Sequence, residues 1–252
     1  MDELCAEALR IVAGRTTLVE SASLTIPAGE VVALVGSSGS GKSVTARALL
    51  GLLPFQPGLV VGRIHVTANG QTWNPRSPAD FRPLRGGIVG LLWQDARAAL
   101  DPLRTVGAQV AEAIHLAHGR GRPEDALARA GFPAPGRVMD LYPHELSGGM
   151  AQRVAIAAAI ARESRFLVAD EPTTGLDPSV QRGVLAQLSY LAQSGVGVLF
   201  ITHDLRLLPG FASRVVVMDH GRTVEDAPSP AALVGAGRAL VEATRKIAGG
   251  AL

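Results

Sequence analysis

The sequence predicts an α/β fold with a mostly parallel β-sheet, and three observations support this. Short continuous apolar runs of strand length, at 31–35 and 166–169, suit strands that are buried on both faces. Each of these runs precedes a stretch with helical character, which is the alternation that favours parallel strands. The chain has 252 residues and is 47% hydrophobic, so it has ample apolar surface to form a core.

The elements are predicted in order from apolar patterning and turn signals. Strands are expected at 31–35, within 64–74 on either side of Asn69-Gly70, and at 88–93, 166–169, 196–201, 215–218 and 223–225. Helices are expected at 43–53, 106–118, 123–130, 152–161, 179–193 and 231–247. The Ala-rich stretch between 95 and 161 has no clear strand signal, so it is predicted to be an inserted helical subdomain.

Composition and charge exclude several classes of protein. The longest apolar runs, 154–161 and 196–201, are far shorter than the roughly 18–20 residues of a membrane-spanning helix. The first ten residues carry three acids and no basic segment, which is unlike a signal peptide. The single cysteine, Cys5, excludes a disulfide scaffold and a multi-cysteine metal site. A net charge of +2 with scattered arginines argues against a nucleic-acid surface, so a cytosolic protein is expected.

A phosphate-binding loop is predicted between the strand at 31–35 and the following helix. Gly36-Ser37-Ser38-Gly39-Ser40-Gly41-Lys42-Ser43 matches G-x-x-x-x-G-K-[ST] in the required context. Glycines let successive N–H groups point inward at an anion, and the helix N-terminus adds partial positive charge. Lys42 is placed to reach the β- and γ-phosphates, and the Ser43 hydroxyl to ligate Mg²⁺. The alternative, a solvated Gly/Ser loop, is disfavoured by the strand and helix on either side.

Two acids end the strand at 166–169. Ligands of open α/β sheets bind at the carboxyl ends of the strands, so Asp170 is expected to face Mg²⁺, through water. Glu171 follows directly and is placed to polarise a water toward the γ-phosphate. The alternative is an acidic turn in solvent, which the phosphate loop makes the weaker interpretation.

Leu146-Ser147-Gly148-Gly149-Met150 precedes the Ala-rich helix and offers a second anion-binding helix terminus. Two such anion-binding sites in one chain suggest that one γ-phosphate is held between two copies of the chain. Alternatively, Ser147 is a plain helix N-cap. The two roles are compatible, and the local residues do not decide between them.

In this order, the motifs resemble those of the nucleotide-binding subunit of ATP-binding cassette (ABC) transporters. The resemblance spans about residues 20–225. The matching segments are 36–43 for the Walker A loop, Gln94 for the Q-loop, 146–150 for the signature motif, 166–171 for the Walker B strand, Thr174-Gly175-Leu176-Asp177 for the D-loop and His203 for the switch histidine.

The resemblance implies a P-loop NTPase fold with a RecA-like, mostly parallel core, an N-terminal antiparallel β subdomain and an inserted α-helical subdomain. It implies one ABC ATPase domain over 1–252. The nucleotide-binding core would comprise 1–94 and 162–226, the helical signature subdomain 95–161, and a C-terminal helix 227–252.

The resemblance also implies ATP and Mg²⁺ as cofactors. Catalytic roles fall to Glu171 as general base, His203 at the γ-phosphate and Gln94, which would reach Mg²⁺ and couple to membrane subunits. Outside this context, Gln94 and His203 would be a surface amide and a loop histidine. The nucleotide-binding set is Gly36, Ser37, Ser38, Gly39, Ser40, Gly41, Lys42, Ser43, Ser147, Gly148 and Gly149, and the metal-binding set is Ser43, Gln94 and Asp170.

Three stretches resemble the dipeptide, oligopeptide and nickel importer branch: 141–153, 169–174, and Gln94-Asp95 with 100–102. This implies an ATPase that powers import of peptides, nickel or a metal chelate from the cytoplasmic face of the inner membrane. The implied partners are a second, paralogous ATPase in a head-to-tail dimer, two integral-membrane permease subunits received by a groove in 95–145, and an extracytoplasmic solute-binding protein. The absence of cysteine after Cys5 makes the chain more similar to the nickel or metallophore importers.

Three alternatives are considered at this point. A translation-associated cassette protein is disfavoured, because such proteins usually carry two cassettes in one chain and this sequence has one. The core motifs do not exclude an exporter ATPase. A nucleic-acid ATPase with the same head motifs is disfavoured, because Val168 follows Lys42 without the long coiled coil or zinc hook that such proteins need.

The sequence departs from the family pattern in two places. Ala96 stands where the branch usually has proline, which leaves the local Q-loop geometry less defined. Between Met1 and Gly36 there is no Phe, Tyr or Trp to stack on adenine. Adenine is therefore predicted to rest on Val12 or on the Arg15 guanidinium, with weaker base selectivity.

Overall fold

The structure, a computed structural model, describes residues 1–53, 58–85, 87–116, 121–161 and 164–247. Its strands are β1 Glu3–Ala13, β2 Thr16–Pro27, β3 Val31–Gly36, β4 Gly58–Ala68, β5 Gln71–Trp73, β6 Val89–Leu92, β7 Phe166–Asp170, β8 Gly197–Ile201, β9 Arg214–Asp219 and β10 Arg222–Ala227. Its α-helices are α1 Lys42–Ala48, α2 Val106–Leu116, α3 Pro123–Arg129, α4 Gly148–Ile160, α5 Pro178–Gln193 and α6 Gly235–Ile247.

The described strands join in the order β5-β4-β1-β2-β10-β9-β3-β8-β7-β6. Strands β6, β7, β8, β3 and β9 are parallel, which confirms the predicted parallel core. Strands β5, β4, β1 and β2 are antiparallel and form an N-terminal extension of the sheet. Strand β10 connects the two parts, because it pairs with β9 and, at Arg222 and Ser21, with β2.

The parallel core is covered on both faces, as the continuous apolar runs predict. All six residues of β3 are buried. Val31, Ala33 and Val35 join the core formed with α2, α3, α4 and α5. Val32 and Leu34 face the opposite core, with α1 and the antiparallel strands. Alternation along a strand therefore divides one apolar run between two layers.

Helices α2, α3 and α5 and the hairpin at Asn69-Gly70 follow the predictions closely. The hairpin joins β4 to β5. The last two residues of the predicted helix 106–118 lie outside the described residues. Strands β1 and β2 were not predicted individually. Bulges between Ala6 and Val12 interrupt the alternation of buried and exposed residues, so the period of two that identifies a strand is not clear in the sequence.

Three predicted helix boundaries were wrong. Helix α1 ends at Ala48 and not at 53, since Gly51 adopts φ +62° and a Cβ there would lie 2.5 Å from Phe81 Cδ2. Helix α4 begins at Gly148 and not at 152, because Ser147 caps it. The tail helix begins at Gly235, after a 3-10 turn at Pro230–Ala232, and not at 231.

Across the described ranges, every helix is too short or too polar to cross a bilayer.

Candidate active site

The ends of the parallel strands bring the predicted site residues to one edge of the sheet. Ile201 at the end of β8 pairs with Leu34 of β3 on one side and with Asp170 of β7 on the other. Leu92 at the end of β6 pairs with Ala169. The phosphate loop, the two acids, His203 and Gln94 all follow these strands, so they lie at the carboxyl edge where ligands of α/β sheets bind.

The phosphate loop is held in place by close backbone contacts. At Gly36, with φ +155°, a Cβ would lie 2.1 Å from the Met218 carbonyl oxygen, so only glycine fits. At Gly41, with φ +101°, a Cβ would lie 3.0 Å from Val19 Cγ2. The Gly221 N–H donates to the Ser40 carbonyl oxygen over 3.1 Å. The intervening residues 37–39 are exposed, so the two ends of the loop are held by contacts while its middle is open to solvent.

Lys42 is buried beneath this loop. Its Nζ donates to the carbonyl oxygens of Gly36 (2.9 Å) and Ser37 (2.8 Å). Burial lowers the pKa of Lys42, while the charges of Glu171 and Asp170 act in the opposite direction. The ammonium group is therefore poorly solvated and is suited to bind an anion that enters the loop.

Ser43 and Asp170 form the oxygen pair expected of a magnesium site. The Ser43 hydroxyl donates to Asp170 Oδ1 over 2.9 Å. Burial raises the pKa of Asp170, and the Ser43 hydrogen bond and the Arg47 charge oppose that rise. A hydroxyl and a carboxylate are the hard oxygen donors that Mg²⁺ prefers, so the residues present fit the ion.

Glu171 is held from three sides. It adopts φ +48°, which is uncommon for a non-glycine residue, and its N–H donates to the Ile201 carbonyl oxygen over 3.0 Å. The Thr174 hydroxyl donates to Oε2 over 3.0 Å, and Oε1 lies 3.1 Å from His203 Nδ1. A strained backbone and two side-chain contacts fix the carboxylate beside the imidazole, which is typical of a functional site.

Ser147 is the N-cap of α4. Its Oγ accepts from the Met150 N–H over 3.2 Å, which confirms the N-cap interpretation. Ser147 and Gly148 are exposed, while Gly149 lies against α5, where a Cβ would come within 2.5 Å of Val180 Cγ1. Among the described residues, no hydrogen bond joins 147–149 to 36–43.

Gln94 lines a cavity of about 740 Å³ between β6 and helices α2 and α4. Trp93 and Asp95 flank it, and α4 contributes Ala155 and Ala159 to the opposite wall. Gln94 is exposed, and in the described part of the chain no hydrogen bond links it to Ser43 or Asp170. Its predicted contact with the metal stays a prediction.

The comparison with known families agrees with this geometry. Residues 19–174 match the ABC transporter family. The chain belongs to that family.

Relatives of this ABC transporter chain include peptide-transport subunits. It is 42% identical over 214 residues to the dipeptide transport ATP-binding protein DppD of Escherichia coli, which is 82% of this chain and 65% of DppD. It is also 42% identical over 214 residues to the peptidoglycan transport ATP-binding protein YejF of Agrobacterium fabrum, 82% of this chain and 39% of that one. The chain therefore spans less than two thirds of the length of these curated relatives.

Solved ABC structures share its fold. CbiO1 of Clostridium perfringens, part of the ABC transporter complex cbiONQ, is 26% identical with a TM-score of 0.74, covering 98% of this chain and 95% of its own. A dimeric post-hydrolysis form of the ATP-binding cassette MJ0796, bound to ADP and Pi, is 25% identical with a TM-score of 0.71, covering 89% and 98%. The predicted P-loop NTPase fold is confirmed.

Sequence reasoning missed two residues of this ABC site. Thr174 was expected only as part of the D-loop, yet it binds Glu171. Arg47 contributes charge at Asp170 and lies 5.6 Å from the Trp93 ring centroid. Arg47 follows Ser43 by one helical turn, and that spacing was the available signal. Thr174 lies three residues after Glu171, in the same turn, and that spacing was the available signal.

Proposed function

We propose that this chain is the ATP-binding and ATP-hydrolysing subunit of an ABC importer for peptides. The observation that carries the proposal is the 2.9 Å hydrogen bond from Ser43 to Asp170, with Glu171 directly after it. This contact brings together a hydroxyl and a carboxylate of the kind that hold Mg²⁺ in P-loop NTPases. The name of the dipeptide transport relative favours peptides over the nickel or metal-chelate substrates that were also predicted.

Each residue of the site has a role in this proposal. Lys42 and the backbone N–H groups of 36–43 bind the β- and γ-phosphates of ATP. Ser43 and Asp170 would hold Mg²⁺, which supplies charge neutralisation across the phosphates. Glu171 accepts a proton from the attacking water, and His203 binds beside it at the γ-phosphate. These steps position and polarise the reactants and need no covalent intermediate.

A second cassette completes the site. Ser147 and Gly148 are exposed at the N-terminus of α4, and Gly149 follows them against α5. In a head-to-tail pair, this terminus binds the nucleotide held by the partner. The partner is a paralogue, as the resemblance of the signature segment to the peptide-importer branch implies.

The permease subunits dock at the cavity beside Gln94. The cavity walls are largely apolar, with Trp93, Leu100 and the alanines of α4, and so suit a short segment of a membrane protein. The cavity extends beyond the predicted groove at 95–145, because Leu50, Leu52 and Ala155 also line it. The assembly then sits at the cytoplasmic face of the inner membrane, with two permease subunits and an extracytoplasmic solute-binding protein.

The domain division follows from the same proposal. Residues 1–94 and 162–226 form the nucleotide-binding core, 95–161 the helical signature subdomain and 227–252 a C-terminal segment. Packing of α4 on both α2 and α3 supports the helical subdomain.

Two substitutions test the proposal. Glu171→Gln is expected to bind ATP and Mg²⁺, to trap the closed dimer and to lose at least about a hundredfold in ATPase rate. Lys42→Ala is expected to weaken nucleotide binding itself. Glu112→Gln, an exposed residue on α2, is the matched control and keeps full activity. ATPase activity of Glu171→Gln at the wild-type rate would overturn the general-base assignment.

Transport identifies the substrate class. A strain lacking this subunit is expected to lose uptake of labelled dipeptide, and the wild-type chain, but not Glu171→Gln, restores it. Restored efflux without restored uptake would instead indicate an exporter.

A further inference from the structure

The outer face of the N-terminal antiparallel sheet carries a cluster of metal-ligating side chains that the nucleotide site does not use. Cys5 on β1 pairs directly with His65 on β4. Glu3 and Glu7 lie two residues before and after Cys5 on the same strand, so they share its face. Direct cross-strand neighbours have Cβ atoms about 4.5–5.5 Å apart, which lets the thiol and the imidazole meet.

The ligand atoms converge. One atom each from Cys5, Glu7 and His65 lie within 4.8 Å of one another. Around a tetrahedral Zn²⁺ with bonds of 2.0–2.3 Å, ligand atoms are about 3.3–3.8 Å apart, so side-chain movements of about 1 Å would close the set. Movements of that size lie within the reach of rotamer adjustment on a fixed pair of strands.

Glu3 and Thr25 occupy supporting positions. Glu3 Oε1 lies 3.5 Å from His65 Nε2, where a carboxylate orients an imidazole whose other nitrogen binds a metal. The Thr25 hydroxyl lies 3.3 Å from Cys5 Sγ and can donate to a thiolate. The cluster therefore has both ligands and the neighbours that hold them.

Competing contacts within the cluster are weak. Arg63 approaches Glu7 at 3.8 Å, but the side chains are 69% and 51% exposed, so this pair contributes little. Cys5 is 7% exposed and lies among two glutamates and an imidazole, which is unusual for a thiol that only fills space. A cation would neutralise this concentration of negative charge.

We propose that Cys5, Glu7 and His65, with Glu3 behind the imidazole, form a binding site for a borderline-soft divalent cation such as Zn²⁺. Thiolate and imidazole ligands select such ions over Mg²⁺ and Ca²⁺. The ion would tie β1 to β4 across the antiparallel sheet. The site is independent of nucleotide, so its test does not depend on the proposed function.

Cobalt substitution tests the site in the untagged, full-length chain. Cys5 is the only cysteine, so a thiolate-to-cobalt charge-transfer band reports this position alone. We expect Co²⁺ to bind at one equivalent with that band, Zn²⁺ to displace it and excess Mg²⁺ to leave it unchanged. Without such a band, or with displacement by Mg²⁺, the proposal is wrong.

Variants separate specific from adventitious binding. His65→Gln and Glu7→Gln are expected to weaken Co²⁺ affinity at least about tenfold, and Glu3→Gln about tenfold. His115→Gln, an exposed histidine on α2, is the matched control and keeps wild-type affinity. Cys5→Ser abolishes the band; if that variant fails to fold, the His65 and Glu7 variants decide. Equal affinity in all the variants and the control would mean surface binding only.

Discussion

Glu171 and His203 face each other across neighbouring strand ends, with Oε1 and Nδ1 3.1 Å apart. The carboxylate is 21% exposed and the imidazole 60%, so the pair opens to solvent on the histidine side. Glu171 has a left-handed backbone and a second hydrogen bond from Thr174. This arrangement fixes the proposed base while leaving its reactive face accessible.

Thr174 is therefore predicted to position Glu171. Thr174→Val removes the hydroxyl that donates to Oε2, and a hydrogen bond to a charged group contributes about 1.5–3 kcal/mol. We expect kcat to fall about tenfold or more, with KM for ATP nearly unchanged. Steady-state ATPase kinetics measure this, and Thr174→Ser should restore the rate. An equal fall in kcat in Thr174→Val and Thr174→Ser would show that the missing hydroxyl does not explain the effect.

Asp170 is predicted to destabilise the nucleotide-free fold at neutral pH. Burial raises the pKa of Asp170, so the folded state disfavours the charged carboxylate. Asp170→Asn removes that cost and can still accept from Ser43. We expect Tm to rise at pH 7, while Mg²⁺-dependent ATP binding weakens.

The pH dependence of that gain has a defined sign. When the pKa of a carboxyl group is higher in the folded state than in the unfolded state, the fold is destabilised at pH values above the folded-state pKa. This destabilisation disappears as pH falls below the unfolded-state pKa of about 3.9. The Tm difference between Asp170→Asn and wild type should therefore be largest near neutrality and shrink on acidification, in the absence of Mg²⁺. A difference that grows toward low pH would contradict this.

Gly149 is predicted to require the absence of a side chain. A Cβ there would lie 2.5 Å from Val180 Cγ1, and valine has few alternative rotamers. We expect Gly149→Ala to lose about 1–3 kcal/mol of unfolding free energy, despite the better helix propensity of alanine. Chemical denaturation measures the loss.

Two variants control that experiment. At Gly136, a Cβ would meet nothing within 4 Å, so Gly136→Ala should be nearly neutral. Adding Val180→Ala to Gly149→Ala makes room at the contact and should recover part of the loss through coupling between the two sites. If the losses of unfolding free energy from the two substitutions simply add in the double variant, the contact with Val180 is not the source of the destabilisation.

Base selectivity is predicted to be weak, because no aromatic residue precedes the phosphate loop. Arg15 is exposed in the turn between β1 and β2, and Val12 is half-buried on β1. If the Arg15 guanidinium stacks on adenine, Arg15→Ala should raise the Kd for ATP about 3–10-fold. In a competition assay, GTP should displace ATP more effectively than it does from ABC ATPases that stack an aromatic residue on adenine. Arg82→Ala, another exposed arginine, is the control, and strong discrimination against GTP would refute the prediction.

The phosphate loop and the acidic strand end were predictable because their chemistry is local. The 36–43 motif needs only glycines, a lysine and a serine between a strand and a helix. The same holds for the cap at Ser147, where a hydroxyl meets the N–H of Met150 three residues later. In the phosphate loop and in the cap, the interacting groups lie within one turn or one loop.

Contacts between distant segments were not predictable. The hydrogen bond from Ser43 to Asp170 joins residues 127 positions apart. The clash that restricts Gly36 to glycine involves Met218 on another strand. Long-range strand pairing brings these groups together, and no local pattern encodes the order of the strands.

The sequence by itself determined the parallel core, the phosphate loop and the identity of the acids and the cap, because apolar periodicity and motif spacing act over short distances. Only the tertiary structure decided that Glu171 lies beside His203, that Gln94 lines a cavity, and that Cys5 meets His65. Those relationships depend on strand order and register, which are set by packing of the whole sheet between its two cores.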